Sequence, residues 1–526
     1  MTNAHLPLPD DAESLKAMVL AMAAKAASAE TELLDLKIAK ASTDERIARL
    51  TSILKKLLRE RHGKKSEKLG TDAADQQSFV FEEIETGIAA VQALVDKGRD
   101  PASRPKRDPR PRKGFAGHLE RIEVVIEPEI PAEHQGKATI KIGEDVSERL
   151  DVIPARFRVI VTRRPKYVFK GYDGVFQALA PNHIIEGGIP TEALLALIAV
   201  SKYADGQPLY RQEGIYARDG VEINRSQMAQ WMGIVGFEFE PLAKHVLGRI
   251  KQAERIFADE TTLPTLSPGN GQTKTAWLWA YARDDRPFGG KDPPMVAYRF
   301  EDSRSGDCVA EHLAGYRGLL QVDGYTAYQR LEKPNGRGNA IQLAGCWAHV
   351  RRKFHDLHAN GESKIATATV ERMARLWVLE NDIRGKAPDD RSATRHAVAA
   401  FLVADLFTLW EKELPKLSRK SKLAEAIRYA LARRTILERF LHDGRIEIDS
   451  NIVERAIRPQ AIIRKNSLFA GSDGGGRTWA TIATMLATAK MNNVDPFAWA
   501  KQTLERLANG WKQADIEELM PWNYKP

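Results

Sequence analysis

Three acidic residues are set in local surroundings that could do chemistry. Asp259 lies in Phe257-Ala258-Asp259-Glu260-Thr261, Asp323 in Leu320-Gln321-Val322-Asp323-Gly324-Tyr325, and Glu454 in Asn451-Ile452-Val453-Glu454-Arg455. The first two follow apolar, strand-like runs, where a sheet can hold a carboxylate rigidly. The third falls on a predicted helix that goes on to Arg458, Arg464 and Lys465. Carboxylate oxygens are the ligands that hard divalent ions prefer. Two such ions can activate an attacking oxygen and stabilise a leaving one, which is phosphodiester chemistry. Asn451 and Glu454 also have the spacing of a capping box, so a helix start alone would account for this glutamate. Arg458, one turn further on, suits either a phosphate or an ion pair back to Glu454.

Other residues carry weaker signals. Cys346 and His349 form one Cys-x-x-His pair, too few ligands for a structural zinc, so packing or orientation of the sheet is the expected role. Arg351, Arg352 and Lys353 are candidates for contact with nucleic acid. Gly471 and Gly474-Gly475-Gly476 precede a helix expected over 477–490. They read as a flexible loop, although bare N–H groups there could also receive a phosphate.

The elements that must position these groups come from a long chain. With 526 residues and 43% hydrophobic content, several structural units are expected. Lys and Arg outnumber Asp and Glu by 79 to 70, giving a net charge of +9 and a bias toward a polyanionic partner. Two cysteines, Cys308 and Cys346, allow no disulfide framework and fit a reducing cytoplasm. Neither a signal peptide nor a run long enough to span a bilayer is evident, so no membrane partner is expected.

Along the chain, residues 1–70 read as a coiled-coil helix. Apolar residues recur at coiled-coil spacing from Leu15 to Leu57, a stripe that calls for self-association or for packing within the chain. Residues 71–115 read as a proline-rich basic linker whose Lys106, Arg107, Arg110 and Arg112 suit a phosphate backbone or a plain spacer. Residues 116–185 form a small β-rich module with strands expected at 121–126 and 157–161. Residues 186–250 suggest helices at 191–203 and 209–218, a break at Asp219-Gly220, and a capped helix opening at Asn224. That pattern fits a helix-turn-helix, with Arg225, Gln227 and Gln230 near DNA, or an ordinary helical hairpin. An α/β core is expected over 251–358 and 445–500, interrupted by a helical insertion at 359–444 and followed by a tail at 501–526.

The longer motifs resemble those of insertion sequence 66 family transposases over nearly the whole chain. They run in order through Ala258-Asp259-Glu260-Thr261, Thr273-Lys274-Thr275 with Trp279, Gln321 to Tyr325, Cys346-Trp347-Ala348-His349-Val350-Arg351-Arg352-Lys353-Phe354 and Ala426-Ile427-Arg428-Tyr429-Ala430. They end with Glu454-Arg455-Ala456-Ile457-Arg458-Pro459, Arg464 to Ser472 and Val494-Asp495-Pro496. The resemblance implies a ribonuclease H-like mixed sheet with Asp259, Asp323 and Glu454 as catalytic, metal-binding acids. It also implies Mg²⁺, with Mn²⁺ able to substitute, in cleavage of element ends and strand transfer into target DNA. Element-end and target DNA, a homo-oligomer and accessory proteins of the same element are the implied partners, in a bacterial cytoplasm at the nucleoid.

Many relatives carry a zinc module with two Cys-x-x-Cys pairs. This chain has Pro131-Ala132-Glu133-His134 and Phe169-Lys170-Gly171-Tyr172 at those places, so no zinc is expected. A catalytically silent DNA-binding regulator, or a nuclease without strand transfer, are the competing functions.

Overall fold

The structure, a computed structural model, describes residues 157–526 except 168–175, 178, 187, 268–271, 333–340, 360 and 362. The expected coiled coil, the basic linker with Lys106, Arg107, Arg110 and Arg112, and most of the β-rich module lie outside the described residues.

Residues 157–165 form no regular structure, unlike the strand expected at 157–161. Val159, Ile160 and Val161 are exposed, and no described strand pairs with this run. A two-residue antiparallel ladder joins β1 (Lys166–Tyr167) to β2 (Phe176–Gln177).

Three helices follow, where the sequence pattern predicts them. The side chain of Thr191 accepts the Leu194 N–H at the start of α1 (Glu192–Tyr203), and α2 spans Leu209–Arg218. Gly220, at φ +73°, turns the chain into α3 (Arg225–Ile250), whose first turn is closed by Asn224 Oδ1 accepting the Gln227 N–H at 2.8 Å. Met228, Trp231, Met232, Val235, Phe239, Leu242 and Val246 line one buried stripe of α3. This 26-residue helix belongs to the same buried apolar cluster as the sheet below it.

That sheet has five strands: β3 (Arg255–Ser267), β4 (Gln272–Arg283), β5 (Met295–Glu301), β6 (Leu319–Val322) and β7 (Gln342–Gly345). Their spatial order is β5-β4-β3-β6-β7. The first three are antiparallel neighbours, β6 runs parallel to β3, and β7 runs parallel to β6. Helix α4 (Gly306–His312) lies on the crossover between β5 and β6.

From β7 the chain enters α5 (Trp347–Ala359) and the helical insertion, α6 (Lys364–Ile383), α7 (Pro388–Thr394), α8 (Ala400–Glu413), α9 (Lys422–Leu431) and α10 (Arg434–Glu438). A second apolar cluster, including Trp347, Phe354, Phe407 and Trp410, fills the insertion and reaches Leu319 and Ala344 in the sheet. Buried ions join the two. Arg395 clamps Glu380 through Nε and Nη2, both at 2.7 Å, and Arg391 donates to Glu447 at 2.6 Å. Glu447 in turn exchanges backbone bonds with the amide of Gln321 on β6, at 2.8 and 2.9 Å.

The chain returns through α11 (Asn451–Ser467), α12 (Asp473–Met491) and α13 (Pro496–Ala508). The glycines at 474–476 are the first turn of α12, which corrects the flexible loop expected there. Ser472 Oγ caps the turn by accepting the Gly475 N–H, and Lys274 pairs with Asp473 at 2.9 Å. A Cβ on Gly476 would stand 2.4 Å from the Phe300 ring, so glycine lets α12 lie directly on β5. Among the described residues no helix is long and apolar enough to cross a membrane.

Candidate functional site

The sheet brings the two aspartates together. Arg255, Ile256 and Phe257 of β3 pair in register with Leu319, Leu320 and Gln321 of β6. Two residues further along each parallel strand, that register sets Asp259 beside Asp323, which directly follows β6. Asp259 Oδ1 accepts the Glu260 N–H at 2.8 Å, and Asp323 Oδ1 accepts the Tyr325 N–H at 2.8 Å.

The loop that carries Asp323 is held from the insertion. Tyr429 Oη donates to the Asp323 carbonyl at 2.6 Å, and Arg433 donates to the Gly324 carbonyl at 3.0 Å. Gly324 has φ +95°, and a Cβ there would meet Arg433 Nε at 2.5 Å, so both conformation and space require glycine.

Glu260 points into the protein, its side chain 1% exposed. It is held by Arg304 at 2.5 and 2.9 Å and by the Tyr328 hydroxyl at 2.7 Å. Arg304 itself lies over the rings of Tyr325 and Trp277. Burial raises the pKa of Glu260 even so.

Glu454 enters from the first turn of α11. The capping-box explanation does not hold, because the Asn451 N–H goes to Asp449 Oδ1 at 3.1 Å. The Glu454 carboxylate instead accepts the Ser450 hydroxyl at 3.0 Å and lies 3.6 Å from His349 Nδ1. Cys346, His349 and Glu454 bring donor atoms within 4.8 Å of one another, a group that could hold a metal ion. The Cys346 thiol is pushed up to about 12, first by burial and then by the charges of Glu454 and Asp449.

Asp259 registers all these charges. Its pKa is held well above the usual carboxylate range by burial first, then by Glu260, Asp323 and Glu454, with the Glu260 N–H opposing. The oxygens of Asp259, Asp323 and Glu454 are the donor type a hard divalent ion takes.

The basic residues singled out in the sequence are spread around this centre. Arg458 and Lys465 are exposed on α11, and Arg225 is exposed at the start of α3, where Gln227 is half-buried. Arg352 is exposed on α5, and its neighbours Arg351 and Lys353 make contacts within the protein. Arg351 lies over the Trp377 ring, and burial lowers its pKa. Lys353 pairs with Glu425 and lies over Tyr429. Sequence reasoning missed Asp449, the Ser450 contacts, the proximity of Cys346 and His349 to Glu454, and the role of Arg464. The last donates to the hydroxyls of Thr261 and Thr262, just beyond Asp259. A pair of adjacent acids at 259 and 260, and another acid two residues before Asn451, were the available signals.

Residues 187–478, more than half the chain, match the Transposase IS66 family. The chain belongs to the IS66 transposase family. Residues 484–522 match the IS66 C-terminal element and residues 49–124 the Transposase C of IS166 homeodomain. Residues 135–168 match the zinc-finger binding domain of transposase IS66, which corrects the expectation that no zinc belongs here. That expectation weighed only the missing cysteine pairs at 131–134 and 169–172, whereas the match is carried by the residues between them. The matched residues contain neither Cys nor His; among the described residues the mixed donor set is Cys346, His349 and Glu454.

This IS66 chain is similar to three Sinorhizobium fredii (strain NBRC 101917 / NGR234) proteins. It is 64% identical to Uncharacterized protein y4qI, over 99% of this chain and 98% of that one. Identity is 39% with Uncharacterized protein y4jD, over 100% and 98%, and 34% with Uncharacterized protein y4hP, over 90% and 88%.

Proposed function

We propose that the chain is an active DNA transposase, cleaving element ends and joining the freed 3′-hydroxyl to target DNA, with Asp259, Asp323 and Glu454 as its catalytic acids. The observation that carries this reading is the approach of three carboxylates, from β3, the end of β6 and α11, in a chain of this family, although among the described residues it is Cys346, His349 and Glu454 whose donor atoms lie within 4.8 Å of one another. Asp259 and Asp323 share a register across parallel strands, and the charge of Glu454 reaches Asp259. The strand order, with the fourth strand parallel to the first, supports a ribonuclease H-like core.

Bound Mg²⁺ would supply Lewis acidity to the attacking and leaving oxygens. The protein supplies a fixed frame. The sheet holds both aspartates, Tyr429 and Arg433 pin the Asp323 loop, and Arg464 ties the helix of Glu454 to the strand of Asp259. Glu260, beside Asp259, is buried and held by Arg304 and Tyr328. Arg458, Lys465 and Arg352 are exposed cations suited to the phosphate backbone, as is Arg225 more remotely. Self-association through residues 1–70, and help from other proteins of the element, complete the reading.

The test is purified protein with element-end DNA and Mg²⁺, beside Asp259→Asn, Asp323→Asn and Glu454→Gln. Cleavage and joining by the parent, with both lost in each variant while DNA binding persists, support a transposase. Cleavage without joining supports a nuclease, and binding without chemistry in any protein supports a regulator.

A further inference from the structure

Glu454 has a second set of neighbours besides the aspartates. Cys346 follows β7, His349 lies in the first turn of α5 and Glu454 in the first turn of α11, so three elements converge on one point. Thiol, imidazole and carboxylate are the ligand types of Zn²⁺. His349 Nδ1 is buried and has no hydrogen-bond partner, an orphaned ring nitrogen facing Glu454 Oε1 at 3.6 Å. Donors sharing one tetrahedral ion with bonds of about 2.0–2.3 Å stand roughly 3.3–3.8 Å apart, so this pair is already at coordination spacing. Ser450 orients the other two. Its N–H donates to Cys346 Sγ at 3.3 Å and its hydroxyl to Glu454 Oε1 at 3.0 Å.

We propose that Cys346, His349 and Glu454 form a zinc-binding site with its fourth position open, and that zinc held there withdraws Glu454 from Asp259 and Asp323. The zinc site stands on geometry alone; the consequence for Glu454 rests on the proposed function. On binding, the Cys346 thiol releases its proton to solvent, the imidazole stays neutral and the carboxylate stays ionised. Thiolate and carboxylate together then cancel the charge of the ion. Mg²⁺ avoids sulfur and prefers oxygen, so the two metals compete for one carboxylate rather than for one site. The side chains of His349 and Glu454 are 24% and 26% exposed, which leaves a path for entry.

The full chain is titrated with Co²⁺, whose thiolate complexes absorb in the near ultraviolet, and then with Zn²⁺. The band is expected in the parent and in Cys308→Ser, absent from Cys346→Ser, and quenched by Zn²⁺. Affinity is expected to fall about 10-fold or more in His349→Ala. In Mg²⁺-dependent cleavage of element-end DNA, zinc should slow the parent about 10-fold while slowing Cys346→Ser, relative to its own zinc-free rate, less than about twofold. A parent protein with no cobalt–thiolate band overturns the site without requiring any variant to fold. A band without inhibition of a cleaving enzyme overturns the competition. A preparation that cleaves nothing in Mg²⁺ counts against the proposed function, while the cobalt band still decides the zinc site.

Discussion

Arg464, ten residues beyond Glu454 on the same helix, donates to the hydroxyl of Thr262, three residues beyond Asp259 on the central strand, at 2.6 Å. It reaches the Thr261 hydroxyl and the Thr262 carbonyl as well. The helix that brings the third acid is therefore fastened to the strand that brings the first. Arg464→Ala should lower unfolding free energy by about 1.5–3 kcal/mol, the range for hydrogen bonds to a charged group. Cleavage should fall further than stability does, because Glu454 loses its fixed approach. An unchanged denaturation midpoint would remove the clamp from the account.

Asp259 makes the metal-free protein sensitive to pH. Its folded pKa lies well above its unfolded one, so the native state binds the extra proton between the two values. The stability this adds is full below the unfolded pKa, near 3.9, and is lost as pH rises through the folded value. At pH 7 in EDTA, Asp259→Asn should accordingly melt at a higher temperature than the parent. Adding Mg²⁺ should raise the melting temperature of the parent more than that of the variant. Equal responses to Mg²⁺ in thermal scans would argue that no cation binds at this carboxylate.

What could be read from the sequence was local. Asn224 announces a helix start by residue type and spacing and caps as expected, and the stretch read as helical from Thr191 begins there, with Thr191 as its cap. The apolar runs before Asp259 and Asp323 announce strands, and neighbouring strands resulted. Contacts between distant residues leave no such periodicity. Nothing near His349 indicates that Glu454, over a hundred residues later, will face it, or that the amide of Gln321 will meet the backbone of Glu447. Local spacing could also mislead. Asn451 and Glu454 have capping-box separation, but Asp449 sits closer to the Asn451 N–H and takes it, which leaves Glu454 to turn into the pocket. The three glycines at 474–476 suggest a loop by composition, yet Ser472 starts the helix before them and Phe300 needs the space of a missing side chain.

Gly324 offers a test of how tightly Asp323 must be held. An alanine there would adopt φ +95° at a cost of about 1–3 kcal/mol and would press on Arg433, which secures the same loop. Gly324→Ala should fold with a lowered melting temperature and lose most of its cleavage, while its affinity for DNA stays within about twofold of the parent. Full cleavage activity in a folded variant would show that the loop tolerates displacement.

The buried ions of the insertion should matter for folding rather than for chemistry. Arg395 is fully buried and spends all its donors on Glu380 and on the carbonyls of Phe440, Asp443 and Ile446. Arg395→Ala would leave Glu380 with reduced compensation in a buried setting, costing about 3–5 kcal/mol in denaturant unfolding. Arg395→Met with Glu380→Leu should recover part of that loss, because the charge of Glu380 goes with its partner, while the carbonyls of Phe440, Asp443 and Ile446 and the Arg391 guanidinium lose a contact. A double variant no more stable than the single one would contradict this.

Affinity for DNA should be governed by salt if exposed cations carry it. Each phosphate contact contributes a slope of about −0.9 in log affinity against log salt. Arg458 and Lys465 lie exposed on the helix of Glu454, so the phosphates they would meet are those nearest the reacting bond. Arg458→Gln and Lys465→Gln should each make the slope shallower by about 1 and weaken element-end and unrelated duplexes alike. Lys353→Gln should change the slope less, because Lys353 is half-buried and lies over the Tyr429 ring. Fluorescence anisotropy over a salt series separates these outcomes. A slope that none of the three substitutions alters would place the DNA on another surface of the protein.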